Sequence, residues 1–168
     1  MVAFRFYGLA QKVIGVDCFR AQVQIQKSLK HENVVALLTH HLIDCSIAVV
    51  LEFCDNGSMR QLLAKTAGGL LTEPVSRRYF TQMFDAVSYL HSSSIVHRDI
   101  SVDKFLLDAR DRVKLSNFGT AMPYAAGDTF FTSRQVIQSQ RSSSARIMRI
   151  LFRTIKYVKY AYGQIYVM

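Results

Sequence analysis

Between Val75 and His91 the chain carries one continuous helical stripe. Phe80, Phe84, Val87 and Leu90 recur at spacings of four, three and three, and Met83 widens the face. An apolar face with that period predicts an amphipathic helix over Val75–His91, which must bury one side against other elements. Pro74 suits its first turn, and Glu73 favours its positive end. Thr72 is followed three residues later by Val75, so the acidic half of a capping box is missing. Ser92-Ser93-Ser94 ends the helix. Beyond it, Ile95–Val96, Phe105–Leu107 and Val113–Leu115 are short apolar runs between polar turns, each a predicted strand.

The upstream half is less periodic. Val2–Tyr7 has strand composition, with nothing before it to pair with. Val23, Ile25 and Leu29 give the Cys18–Lys30 segment a loose helical character. Val34–Thr39 and Ser46–Phe53 are predicted strands, with His40–Cys45 turning between them. Asp55-Asn56-Gly57-Ser58 is a turn whose serine can cap a helix starting near Met59, and Gly68-Gly69 breaks that helix.

Composition bounds the function classes. The chain has 168 residues, of which 50% are hydrophobic, enough for one domain with a real core. Its formal charge of +9 is unevenly placed. Asp128 is the last acidic residue, and Arg134, Arg141, Arg146, Arg149, Arg153, Lys156 and Lys159 follow it. That balance favours acidic partners without naming one, and a solvated charged tail is the plain alternative. No finger spacing or RNA-binding aromatic motif accompanies the charge, so specific nucleic-acid binding is not expected. Cys18, Cys45 and Cys54 have neither metal-ligand spacing nor the density of a secreted scaffold, which predicts reduced, mostly buried thiols. The start MVAFRFYG lacks a signal peptide's apolar run, and no stretch approaches the about eighteen apolar residues a membrane span needs. An intracellular location, cytoplasm or nucleus, is the expectation.

The chemistry is concentrated in His97-Arg98-Asp99-Ile100-Ser101-Val102-Asp103-Lys104-Phe105-Leu106-Leu107, followed by Asn117-Phe118-Gly119. This pair resembles the catalytic loop H-R-D-x-x-x-x-N and the D-F-G metal motif of the eukaryotic protein kinase family, serine/threonine type. An HRD triplet alone is weak. Its place after the long helix, and before two short strands closed by Lys114-Leu115-Ser116-Asn117, makes the resemblance specific. Leu51-Glu52-Phe53-Cys54-Asp55-Asn56-Gly57-Ser58 is similar to the hinge between kinase lobes, and Leu29-Lys30-His31-Glu32-Asn33-Val34-Val35 to the turn after the regulatory helix. Val2-Ala3-Phe4-Arg5 resembles a degraded V-A-I-K strand motif.

The resemblance implies an α+β, incomplete bilobal kinase-like fold. It would have a partial N-lobe sheet with its regulatory helix and the first part of a mostly helical C-lobe. Residues 1–133 would form this partial domain, and residues 134–168 a basic tail outside the family pattern. No A-P-E motif closes the activation segment, in which Thr129 and Thr132 are the expected phosphosites. Without the later C-lobe helices, the long helix is expected to expose an apolar patch. The tail's Ile147, Ile150, Leu151, Ile155 and Val158 can share a helical face that packs intramolecularly or docks on protein, calmodulin or membrane. Ile155 and Val158 also suit a strand.

Each role the resemblance implies can be checked against its residue. Asp99 keeps the base position, and Arg98 the residue that grips an activation loop. Ser101 replaces the loop lysine. Leu51 is placed as gatekeeper, the backbones of Glu52 and Cys54 as hinge contacts, and Leu106 as a further nucleotide contact. Arg5 stands for the strand lysine and Gln22 for its glutamate partner, which removes that ion pair, and arginine's flat fork is no neutral exchange for an ammonium. Asn117 and Lys104 occupy the two metal positions. A neutral amide is a poor magnesium ligand, and an ammonium offers no lone pair at all. The glycine-rich loop that precedes the strand motif in the family is not in the sequence. ATP is thus the implied ligand with a weakened clamp, and Mg²⁺ is expected to be lost.

His97 is expected to pack and hydrogen-bond rather than act as an acid or base. Asp99 has two open roles, vestigial base or loop-holding acceptor. Phe118 would pack beneath the regulatory helix, facing Gln26. An unpaired amide buried there would cost about 1–3 kcal/mol and weaken the internal stack. Together these features imply a catalytically inactive kinase-like protein that acts by binding a kinase, a kinase substrate or a chaperone. A residual serine/threonine kinase and a nonfunctional truncated fragment are the alternatives.

Overall fold

The structure is a computed structural model that describes residues 1–8, 23–43 and 46–125. Gln22, Cys18, Cys45, Thr129, Thr132 and the basic tail lie outside the described residues. Residues Met1–Tyr124 form one unit. Its first layer is a three-stranded antiparallel sheet of order β1-β3-β2, made of β1 (Val2–Gly8), β2 (Leu37–Ile43) and β3 (Ser46–Glu52). β3 is central because it supplies the apolar run Ile47-Ala48-Val49-Val50, buried throughout. Each large side chain of that run contributes about 1.5–3 kcal/mol by leaving water.

Two expectations change here. Val2–Tyr7 does find a partner: β1 pairs with β3 from Val2 opposite Glu52 to Gly8 opposite Ser46. β2 begins three residues later than expected and continues through His40–Ile43, the stretch expected to turn. The register shifts between Leu37 and Thr39, a bulge that leaves Leu38 exposed. Val34 instead makes a lone parallel bridge to Leu115.

Residues opposite one another across antiparallel strands share a face. Arg5 lies opposite Val49 and Ala3 opposite Leu51. On that face Val23 packs with Ile47 and Val49, flanked by Leu37 and Leu51. Val23 belongs to the short helix α1, residues 23–28. Arg5 is therefore carried on the α1 side of the sheet.

The second layer is built on α2 (Met59–Lys65) and α3 (Glu73–Ser92). Ser58 caps α2 reciprocally: its hydroxyl accepts from the Gln61 N–H at 3.3 Å, and Gln61 Oε1 accepts from the Ser58 N–H at 2.8 Å. Gly57 has φ +71°, where other side chains are strained, and a Cβ there would sit 2.2 Å from that same Gln61 oxygen and displace the cap. The turn is sewn to the next layer by Leu107 N–H to Gly57 O at 2.8 Å and Asn56 N–H to Leu107 O at 3.0 Å.

α3 buries Tyr79, Phe80, Met83, Ala86 and Leu90. Phe84 and Val87, expected in its stripe, are only half-buried, and Tyr79 and Ala86 complete the buried face instead. That face meets β4 (Ile95–Val96) and β6 (Val113–Leu115). β5 (Phe105–Leu107) pairs with β6, and β4 with β7 (Met122–Pro123). The three short downstream strands fall where the apolar runs placed them.

The two layers are cross-linked at the His31–Val35 turn. Leu115 N–H donates to Asn33 O at 2.8 Å, and Val35 N–H to Leu115 O at 2.9 Å. Buried Asn33 donates its amide to Val113 O at 2.8 Å, while Gln82 of α3 accepts the Val113 N–H at 2.6 Å. His31 stacks on Tyr89 with ring centroids 4.7 Å apart.

Candidate functional site

The catalytic-loop segment and the Asn117-Phe118-Gly119 segment meet around one small residue. Ser116 is buried, and both its N–H and its hydroxyl donate to Lys104 O at 2.8 Å. Its carbonyl accepts from His97 Nε2 at 3.0 Å. The His97 Nδ1 accepts the Asp99 N–H at 3.3 Å, which fixes a neutral ring with its proton on Nε2. Burial, opposed by the bond to Ser116 and the charge of Asp99, holds the His97 pKa below its ordinary value. Phe118 is fully buried and meets the His97 ring edge-on at 5.1 Å. His97 is thus a packing and hydrogen-bonding residue, in line with its expected role.

The backbone turns sharply at both segments. Arg98 has φ 65° and Asn117 φ 66°. Asparagine tolerates the left-handed region, whereas arginine pays about 1–2 kcal/mol for it. Arg98 Nε donates to Thr120 O, and the Thr120 hydroxyl donates to His97 O at 2.9 Å. These bonds tie the loop to the residues after Gly119.

Among the charged side chains, Lys104 Nζ lies 3.0 Å from Asp99 Oδ2, with side-chain exposures of 21% and 48%. Arg5 Nη1 donates to Asn117 Oδ1 at 3.3 Å, joining the upper sheet to the lower segment. The residues expected at the base, strand-lysine and metal positions form two pairs, Asp99 with Lys104 and Asn117 with Arg5, and Ser116 bonds the Lys104 carbonyl and precedes Asn117 in the chain. Ser101 is half-buried, and its carbonyl accepts the Lys104 N–H at 3.0 Å. Neither residue expected at a metal position has an anionic oxygen of its own. Lys104 is a cation, and the amide oxygen of Asn117 already faces a guanidinium.

Glu52, expected in the hinge, is held by a contact the sequence did not disclose. Lys114 Nζ lies 2.7 Å from Glu52 Oε1, and Glu52 Oε2 accepts the Ala36 N–H at 3.2 Å. The Glu52 N–H donates to Ala36 O at 2.9 Å. Leu51 and Cys54 are half-buried, and Leu106 is the half-buried residue between buried Phe105 and Leu107. Burial first, then the charge of Glu52, pushes the Cys54 thiol up to about 11.

Gln26 corrects an expectation. It is buried, but its amide donates to Val35 O at 3.0 Å, so no unpaired group weakens the interior. The other buried polar residues among those described, Asn33, His97, Asp108, Lys114 and Ser116, are likewise bonded. Asp108 caps the β5–β6 turn. Burial opposes its charge, yet bonds from the Arg112 backbone and side chain and from the Arg110 N–H keep its pKa low. Asp103 is held low first by the Arg60 guanidinium, which ties α2 to the catalytic loop. Sequence gave no signal for Ser116 as a hub or for Lys114 as a buried partner. A lysine between two strand valine and leucine residues reads as a solvent-facing position.

Comparison with known proteins takes in Asp99, Lys104 and Asn117 but not Arg5 or β1. A model of the protein kinase domain matches residues 10–146. The chain is 35% identical over 101 residues to the cell cycle serine/threonine-protein kinase CDC5/MSD2 of Saccharomyces cerevisiae, covering 60% of this chain and 14% of that protein. It is 38% identical over 111 residues to serine/threonine-protein kinase SIK2 of Gallus gallus, covering 66% and 14%. It is 36% identical over 100 residues to an Aurora kinase of Schizosaccharomyces pombe, covering 60% and 28%. The chain thus spans less than a third of the length of these relatives. No helix among the described residues is long and apolar enough to cross a membrane. With the family match running over well more than half of the sequence, the chain belongs to the protein kinase domain family.

Proposed function

We propose that this kinase-family chain transfers little or no phosphate and acts by binding a protein partner inside the cell, whether a kinase, a kinase substrate or a chaperone. The observation that carries the reading is the 3.0 Å pair between Lys104 and Asp99. A base carboxylate must be open to a substrate hydroxyl, and phosphoryl transfer relies on divalent metals to neutralise the phosphates. Here an ammonium occupies the second metal position and is bonded to the base itself. Asn117, at the first metal position, presents a neutral oxygen to Arg5. These donors do not suit magnesium, which favours anionic oxygen in an octahedral shell.

The test is phosphotransfer by the purified chain from radiolabelled ATP, with Mg²⁺ or Mn²⁺ and a mixed serine/threonine substrate. Label no greater than that of an Asp99→Ala control is the expected result. Transfer that disappears with Asp99→Ala would overturn the reading. That outcome would favour a residual serine/threonine kinase, a second reading supported by the buried Phe118 and by an Asp99 carboxylate that remains half exposed.

A further inference from the structure

We infer that two copies of this chain pair through the outer edge of β1, antiparallel about a two-fold axis, so that their three-stranded sheets join into one. The inference concerns the upper sheet and stands apart from phosphotransfer. Among the described residues the sheet, of order β1-β3-β2, ends at β1. The side of β1 away from β3 therefore faces no described strand, and such an edge is a template for a further one. The two edges of the sheet differ. β2 carries the register shift between Leu37 and Thr39 and the exposed imidazoles of His40 and His41, features that blunt an edge. β1 keeps unbroken register with β3 from Val2 to Gly8. Its sequence, Val2-Ala3-Phe4-Arg5-Phe6-Tyr7-Gly8, has no proline, a single charge and mostly residues that favour strands.

The side chains select a second copy as the occupant. Val2 and Phe4 share one face of β1 and are 39% and 63% exposed. With the axis at Phe4, that ring lies opposite its own copy, a cross-strand aromatic pair, and Arg5 lies opposite Ala3. Moving the axis one residue, to Arg5, would set like charges opposite each other, so charge fixes the register at Phe4. The fold accommodates this direction of pairing. Val2 lies opposite Glu52, the end of β3 from which the chain runs on to α2. Antiparallel joining therefore sends the α2–α3 layers of the two copies to opposite ends of the shared sheet.

Analytical ultracentrifugation of the full chain, from low micromolar to the highest soluble concentration, reads the assembly directly. A reversible dimer is expected. Phe4→Lys removes the aromatic pair and puts two like charges on the axis, and it is expected to weaken the dimer at least about ten-fold. Leu38→Lys, at an exposed apolar position on the other edge strand, is expected to leave the dimer unchanged. Mixing Phe4→Glu with Phe4→Lys chains is expected to restore a dimer of one copy of each, because opposite charges then meet on the axis. If Phe4→Lys does not unfold cooperatively in urea, Phe4→Thr, which keeps the strand preference, replaces it. A monomer at every concentration overturns the inference, as does a dimer that Phe4→Lys leaves intact or that Leu38→Lys weakens as much. Failure of the folded Phe4→Glu and Phe4→Lys chains to pair with each other overturns it as well.

Discussion

Removing Glu52 leaves Lys114 charged in a place with almost no water. The Lys114 side chain is 5% exposed and that of Glu52 28%, with 2.7 Å between their charged atoms. Breaking a buried pair from one side costs about 3–5 kcal/mol, because the remaining charge is uncompensated. Glu52→Ala also strips the Ala36 N–H of its 3.2 Å acceptor, worth about 1 kcal/mol. Water reaching the Glu52 side offsets part of this, so the expected loss is about 3–4 kcal/mol. Lys114→Met removes the deeper charge and leaves a carboxylate that still has solvent and the Ala36 N–H, so its expected loss is about 1–2 kcal/mol. In the double variant Glu52→Gln/Lys114→Met, no charge is stranded, and the glutamine oxygen still faces Ala36. Its stability should lie within about 1 kcal/mol of the parent.

Urea unfolding followed by far-ultraviolet circular dichroism measures all three, and for a chain of this size Glu52→Ala should lower Tm by about 6–16 °C. The asymmetry is the sensitive part. If Glu52→Ala costs no more than Lys114→Met, or if the double variant is as unstable as Glu52→Ala, burial of the ammonium does not govern this contact.

Gln26→Leu places the aliphatic residue common in the family but strips Val35 O of its 3.0 Å donor, and it should destabilise by about 1–2 kcal/mol in the same assay; stabilisation would show that the amide bond contributes nothing. Because burial keeps the His97 pKa low, the unfolded chain gains its proton first as pH falls below about 6.5. The stability tied to neutral His97 is therefore complete above that pH and declines as pH falls toward the folded value. His91, lowered by burial as well, adds a slope of the same sign. His97→Gln should flatten the fall in the urea midpoint between pH 7.5 and 5.5, and an unchanged slope would count against the assignment. Cys54, pushed up to about 11, should react with iodoacetamide at pH 8 about a hundred-fold more slowly than an unperturbed thiol, as read by peptide mass mapping.

The sequence was informative where local pattern decides structure. The three short strands and the Ser58 cap follow from apolar runs and turn chemistry that act over a few residues. The long helix was recognisable, but its buried face was not fully so. Phe84 and Val87 have the right period, yet β4 and β6 lie against Tyr79, Ala86 and Leu90, and tertiary contact chooses between adjacent ridges. The boundaries of β2 were misplaced because its bulge at Leu38 and its pairing with β3 are long-range facts. At the site, residue types were legible from motif spacing. Their pairings were not: Lys104 with Asp99, Arg5 with Asn117 and Lys114 with Glu52 each depend on how separate segments are brought together. Gln26 shows the same limit, since only the fold reveals that Val35 O awaits its amide.

The left-handed backbone at Asn117, φ 66°, decides what an acidic side chain there would ask of the main chain. Aspartate and asparagine are among the few side chains that accept that conformation, so exchanging one for the other leaves the main chain undisturbed. At this position the difference between a charged and an uncharged oxygen is the replacement of a single amide nitrogen. Asn117→Asp would therefore change the charge of one side chain, with the scaffold already shaped to receive it.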